Sequence, residues 1–284
     1  MRGIAVNRYA LFVILVCGVV GTFAHPVNLN AQEDNPLDFR GVSNRLGLEI
    51  GFTSVYQIGA YSAGCEVFNK GAGANFLIAA AWDRSMGSRF RFESLLGYQG
   101  RSIASRFNSR EVIGLATETG PVNAEVDFEN IGRANFSYIF VQPGVKFYPF
   151  RNLYAGAGAS VNFLLSGRTQ YQKDILSRTV ELNELGLSEV FYSDAESSDP
   201  YSMVYAEEGR DDAGGVTFDA VLMIGGEFYV GKTTSNPIEM TEKKKLSLGP
   251  RLQYTIPFVN ALSDGERAMK LGSFQFLIGM RYEL

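Results

Sequence analysis

Apolar and polar residues alternate along eight separate stretches of this chain, and the last runs to its final residue. Phe274, Phe276, Ile278, Met280, Tyr282 and Leu284 alternate with Gln275, Leu277, Gly279, Arg281 and Glu283. A period of two places the two sets on opposite faces of a strand. One face is apolar and the other mostly polar, which suits a strand with lipid on one side and a lumen on the other.

Seven earlier stretches carry the same pattern. The first sets Leu46, Leu48, Ile50 and Phe52 against Gly47, Glu49, Gly51 and Thr53. The second sets Phe76, Ile78, Ala80 and Trp82 against Asn75, Leu77, Ala79 and Asp83. The third has Phe90, Phe92, Leu96 and Tyr98 opposite Arg91, Glu93, Gln99 and Arg101. The fourth and fifth span 138–148 and 153–165, with Tyr138, Gln142, Lys146 and Tyr148, then Tyr154, Ser160 and Asn162, on their polar faces. The sixth and seventh span 218–229 and 246–256, with Asp219, Met223, Glu227 and Tyr229, then Ser247, Arg251, Gln253 and Thr255, facing inward. Each stretch is about as long as the 9–11 residues that a tilted strand needs to cross hydrocarbon.

Connections alternate in length. Strands two and three join around Met86, Gly87 and Ser88, four and five around Phe150 and Arg151, and six and seven through a polar link at 233–244. The remaining connections, near 55–73, 104–134, 167–214 and 259–270, are mostly longer. The pattern predicts an all-β fold: an eight-stranded antiparallel up-and-down transmembrane β-barrel with long extracellular loops and short periplasmic turns. An even strand count returns both termini to the periplasm. Pro143 and Pro250 fall inside strands and are expected at bulges or near the membrane rim. A soluble β-sandwich is the competing fold, because alternation also describes half-buried sheets.

The N-terminus places the chain in the same compartment. Arg2 and Arg8 precede an apolar run from Tyr9 to Val20, and small residues allow cleavage after Ala31 or, alternatively, after Ala24. This reads as a signal peptide at 1–31, a short periplasmic segment at 32–44 and the barrel at 45–284. Cys17 lies too deep in the apolar run, behind Val16, for a lipoprotein site. No later stretch approaches the 18 apolar residues of a helical span. The net charge of −4 falls to about −6 without the leader, as 24 basic residues face 30 acidic ones. That balance argues against nucleic acid as a partner. Cys65 is the one cysteine left after processing, so no intrachain disulfide is expected.

The opening Leu46-Gly47-Leu48-Glu49-Ile50-Gly51, the central Gln142-Pro143-Gly144-Val145-Lys146-Phe147-Tyr148 and the closing Ile278-Gly279-Met280-Arg281-Tyr282 resemble the PorT-like outer-membrane β-barrel family of Bacteroidetes-type bacteria. The resemblance covers the mature chain and implies an integral outer-membrane barrel. Some members of that family are linked to protein secretion and gliding. Such barrels often end in phenylalanine, where this chain has Leu284.

The inward parity collects charge. Glu49, Asp83, Arg91, Glu93, Arg101, Lys146, Asp219, Glu227, Arg251 and Arg281 share it, as does Glu283. Eight strands leave an interior just wide enough for side chains to fill. Mixed charges there must pair, since unpaired buried charge is expensive. They are expected to form a structural, salt-bridged plug, with a narrow ion path or small polar ligand site as the alternative. Large groups such as Arg91, Tyr138, Tyr148, Tyr229 and Arg251 are expected to occupy the space.

Catalysis has little support. The lone His25 precedes the first strand, which removes the usual base from acyl-transfer chemistry and leaves no histidine-based metal site. No cofactor is expected. The segment 167–214 is rich in Asp and Glu, and its middle, Thr179 to Val190, is expected to form a short helix. It reads first as a solvated surface loop, with recognition of a protein partner as an alternative and calcium bridging a weaker one, because no glycine-centred calcium loop is present. Lys243, Lys244 and Lys245 read as an exposed turn on the periplasmic side of strand seven or, alternatively, as contacts for lipid phosphates. The expected partners are outer-membrane lipid and, through the closing strand, the barrel-assembly machinery. The expected function is a non-enzymatic structural, loop-displaying or assembly component. Alternatives are a small pore or transport barrel and, less well supported, a lipid-modifying enzyme.

Overall fold

The computed structural model describes residues 43–63, 66–87, 89–117, 120–182, 186–192, 199–208, 213–230, 246–264 and 267–284. The expected leader and its cleavage sites, His25, Cys65, Ser88 and Lys243–Lys245 lie outside the described residues.

Eight long strands form a closed ring: β1 (Asn44–Gly59), β2 (Gly71–Ser85), β3 (Phe90–Thr117), β4 (Gly120–Phe150), β5 (Leu153–Ile175), β6 (Val216–Gly226), β7 (Leu246–Pro257) and β8 (Arg267–Glu283). Each pairs antiparallel with its neighbours in the chain, and β8 pairs with β1 to close the circle. The register fixes the slant of the strands. A path of partners from Asn44 runs through Arg84, Phe92, Val145, Ala157, Leu222, Tyr254 and Phe274, and returns to β1 at Ser54. That ten-residue stagger over eight strands tilts them by about 40° to the axis.

Parity is as the sequence reading has it. Phe52 is 76% exposed and its neighbour Thr53 is 1% exposed. The outer face carries an apolar band on every strand. It runs from Leu46 to Phe52 on β1, from Phe147 to Ile139 on β4, and from Tyr282 to Phe274 on β8. At this tilt the band is about 20–25 Å tall, the height of an outer-membrane barrel's lipid belt. Aromatic pairs edge it. Near the chain termini, Phe90 meets Phe147 at 5.1 Å and Trp82 meets Phe92 at 5.9 Å. At the other edge, Phe76 meets Tyr98 at 5.7 Å, and Tyr56 stacks on Tyr254 with their hydroxyls 2.6 Å apart. Gly272 makes the last pair possible, because a Cβ there would sit 2.3 Å from the Tyr56 ring.

Three expectations need correction. The segment 104–134 is no loop. The β3–β4 ladder runs unbroken from Phe90↔Phe147 to Thr117↔Gly120, so the hairpin projects beyond the ring as a blade. Its outward residues are mostly polar, with Arg106 on Glu129 and Arg110 on Asp127, so the apolar–polar alternation of a lipid-facing strand is lost. Nor does 179–190 form a helix. Thr179–Leu182 and Gly186–Glu189 pair as a hairpin, and Val180 and Val190 join Leu115, Val126, Phe128 and Ile175 in an apolar cluster on the blade. A short run with apolar residues at several spacings reads both ways. Third, neither proline makes a bulge. The β4–β5 register is the same on both sides of Pro143, and Pro250 stays in register with Ile278 beside the gap after Gly226. The β4–β5 register shifts instead at Ser137/Tyr138, where Leu165 is the extra residue, and again beside the turn at Phe147/Phe150.

Candidate functional site

The lumen holds the chemistry that the inward parity collects, and it is filled in three layers. Near the termini, every charged residue expected there is buried except Glu283, which is half-buried. Asp83 accepts from Arg45 at 2.7 and 2.9 Å and from Arg91 at 2.8 Å. Arg45 also reaches Glu227 at 2.7 Å, and Glu227 takes the Tyr148 hydroxyl at 2.8 Å and Lys146 at 3.3 Å. Glu93 is the hub: Lys146 contacts it, Arg251 reaches it at 2.5 and 2.6 Å, and Arg281 donates at 3.0 Å. Arg281 and Arg251 both pair with Glu49. Tyr154 lies beneath two of these cations, with Lys146 Nζ at 4.6 Å from its ring and Arg251 donating to its hydroxyl at 3.0 Å.

Arg101 and Asp219 form a separate pair at 2.5 Å further along, with Asn162 donating to Asp219 at 2.9 Å. Around them lies a layer of carboxamides and hydroxyls. Gln142 and Gln253 exchange hydrogen bonds at 3.1 and 2.9 Å, Gln253 donates to Gln275 at 3.0 Å, and Gln99 donates to Asn162 at 2.7 Å. Thr255 and Ser273 sit 2.7 Å apart. Paired amides satisfy each other without net charge, so this layer costs little desolvation.

The third layer is apolar. The hairpin Tyr61–Ala63 and Glu66–Phe68, between β1 and β2, folds into the mouth of the ring. Tyr61 and Phe68 are 1% exposed and pack with Val55, Ile103, Phe136, Tyr138, Leu164, Tyr171, Leu262, Met269 and Leu271. Gly132 admits them, since a Cβ there would lie 2.6 Å from the Tyr61 hydroxyl and 2.8 Å from the Phe68 ring. Between Glu49, Lys146, Glu227 and Arg281 the remaining space is about 10 Å³, the size of one water.

Sequence reasoning missed Arg45, which shares the parity of Gly47 one step before the first strand was taken to begin. It is 1% exposed and bonds two carboxylates. The apolar layer was also missed, because the hairpin that builds it lies in a segment read as loop. Tyr229 was expected inside; it is 41% exposed, on the short strand Phe228–Val230 that continues β6 towards the rim. On the blade, Glu111 takes Lys173 at 2.6 Å and the Ser109 hydroxyl at 2.6 Å, which holds its carboxyl below the ordinary range. Arg110 does the same for Asp127.

No family model and no curated protein matches the chain. Among solved structures it is similar to Ail, the attachment invasion locus protein of Yersinia pestis, with 10% identity and a TM-score of 0.30 over 84% of this chain and 98% of that one. It is similar to Neisserial surface protein A, with 12% identity and a TM-score of 0.29 over 86% and 99% of the two chains. The outer membrane protein OprG from Pseudomonas aeruginosa follows, with 7% identity and a TM-score of 0.29 over 85% and 96%. Likenesses this distant carry no argument about activity. The barrel stands on its own register and outer face.

Proposed function

We propose that this protein is an integral outer-membrane β-barrel, with both termini in the periplasm, that acts as a closed, non-enzymatic platform. It presents the blade and the acidic segment 167–214 to a protein partner, as a loop-displaying or assembly component would. The resemblance to PorT-like barrels is compatible with a place in a secretion apparatus. One observation carries the reading: the lumen is packed from one mouth to the other, by ion pairs, then amides, then an inserted apolar hairpin. Six cations face five carboxylates among the buried lumen charges, Arg45, Arg91, Arg101, Lys146, Arg251 and Arg281 against Glu49, Asp83, Glu93, Asp219 and Glu227. Charges so nearly balanced and mutually bonded consume the field that a conducting pore would use to select ions.

Reconstitution in planar bilayers tests this. The purified barrel should show no steady open-channel conductance, and Arg251→Glu should introduce brief openings by breaking the hub. A stable conductance in the unmodified protein whose selectivity reverses on Arg251→Glu would reject the platform in favour of a pore. Crosslinking from Val112, which is 69% exposed on the blade, should recover a discrete protein partner from intact cells.

A further inference from the structure

The blade has one covered edge and one open edge. On the β5 side, Ser202–Glu208 pairs with Asp174–Thr169 and extends the sheet. On the β3 side, β2 begins its pairing at Gly71↔Ser105, and past that point β3 continues to Thr117 with β4 as its ladder partner. Backbone parity locates the groups this leaves open. The Ser102 N–H and carbonyl turn towards β2, where the Asn75 carboxamide meets them at 3.0 and 3.1 Å. The Ala116 N–H and carbonyl turn the same way and meet Phe191 at 2.9 and 3.1 Å. No register shift separates the two residues, so Arg106, Asn108, Arg110 and Val112 present their N–H and carbonyl groups to that side as well. All four residues are exposed, and among the described residues no backbone group meets them there.

This edge is also unguarded. Edges left in water are usually blunted by proline, lysine, a bulge or a covering segment. Residues 106–113 include no proline and no lysine, and their ladder with β4 is unbroken. The two arginines are drawn back over the sheet to β4 carboxylates, Arg106 to Glu129 at 3.4 Å and Arg110 to Asp127 at 2.7 Å. Their charge is thus neutralised away from the open side. At the tip the edge already accepts a strand, since Ala116 and Phe191 exchange both backbone hydrogen bonds as an antiparallel bridge.

We propose that the β3 edge from Arg106 to Val112 takes an extended segment of a partner protein as an added antiparallel strand. The proposal rests on the platform reading and deepens it, by naming how the blade holds its partner. Main-chain hydrogen bonds supply the attraction, and alternate side chains supply the selectivity. On the inner face the added strand lies beside Phe107 and Ile113, each half-buried against an apolar cluster, with Ser109 and Glu111 between them. A fitting segment is therefore apolar at two positions spaced as Phe107 and Ile113 are, polar between them and free of proline. A second copy of the chain does not fit this geometry. Two barrels in one membrane are related by rotation about its normal, so both β3 strands run outward and cannot pair antiparallel.

Two measurements on the full-length barrel in lipid nanodiscs test the site. Amide exchange followed by NMR should alternate along β3, fast at Arg106, Asn108, Arg110 and Val112 and slow at Phe107, Ser109 and Glu111. Slow exchange at all of them in the barrel alone would show an edge already occupied and overturn the site. Selection from a random dodecapeptide library then supplies the probe. Selected peptides should share the spacing above and slow the fast amides. Asn108→Pro removes an edge N–H and leaves the β4 ladder intact, so it should weaken their binding about tenfold. Asn108→Thr keeps the N–H and should bind them as the unmodified protein does. Gel mobility before and after heating confirms that each variant keeps the folded barrel. An empty selection, undiminished binding by Asn108→Pro, or equal loss in both variants would overturn the site. Disulfide-linked dimers of Val112→Cys in nanodiscs holding two barrels would overturn it in favour of a second copy. A steady conductance in planar bilayers would instead remove the platform reading on which the site rests, whatever the peptides do.

Discussion

The two ends of the lumen solve the same packing problem with opposite chemistry. At the end near the termini, β-strand side chains from around the ring meet as ions: Glu93 on β3 holds Lys146 from β4, Arg251 from β7 and Arg281 from β8. At the far end the strands alone do not fill the bore, and the Tyr61–Phe68 hairpin enters to complete an apolar core. The first arrangement is unforgiving, because deleting one ion leaves its partners charged and dry. The second is local, and its failure should open one mouth without touching the other. A narrow barrel can thus be sealed twice, by independent means.

The sharpest way to break the comparison is Glu93→Gln. Three cations lose their shared carboxylate, and the barrel should lose about 3–5 kcal/mol of stability. Urea titration in bilayers, read by the fluorescence of Trp82, the one tryptophan, measures this. A loss below about 1 kcal/mol would show that the network is already solvated. Next in size is the outer face. Leu222→Arg should cost about 2–4 kcal/mol at the midplane, and Gln253→Arg on the inward face of β7 should be milder. Equal costs would remove the distinction between the two faces.

The apolar end should respond to Gly132→Leu. The added side chain collides with Tyr61 and Phe68, costs about 1–3 kcal/mol and expels the hairpin. Limited proteolysis should then cut within 61–68, while the unfolding shift on adding Glu93→Gln stays additive, since the layers are separate. The smallest effect belongs to the blade. The Glu111 carboxyl is held below its unfolded value near 4.3, so the Lys173 contact contributes fully above that pH and drains as pH falls through the lower folded value. For a partly exposed pair the change is below about 1 kcal/mol. Faster amide exchange in 106–117 at pH 3 than at pH 5, after correction for intrinsic rates, would register it. Glu111→Gln should remove the difference.

The parts of this molecule that face lipid were the most legible. Leu46, Ile50, Phe276 and Ile278 have no reason to alternate with Glu49, Gln275 and Arg281 unless one face is apolar and the other filled. Legibility ended where lipid ends. Past Ile103 and Ala134 the outward face meets water, so polar residues occupy it and the alternation that marks a strand fades, although the ladder continues. Arg45 was missed through a boundary one residue late. The hairpin at 61–68 could not be read as a core element, because its burial comes from the ring around it and from Gly132, seventy residues away in the chain.

The span of the ion network gives the barrel a test of completeness. Arg281 on the last strand meets Glu49 on the first across 232 positions, and Arg45 meets Glu227 across 182. A sheet that has not yet closed holds these charges without partners, and contacts of such separation form late. The closing strand therefore discharges a penalty that every partly assembled form carries. Truncated or misregistered chains remain electrostatically unfinished, whereas a correctly joined ring locks its beginning to its end.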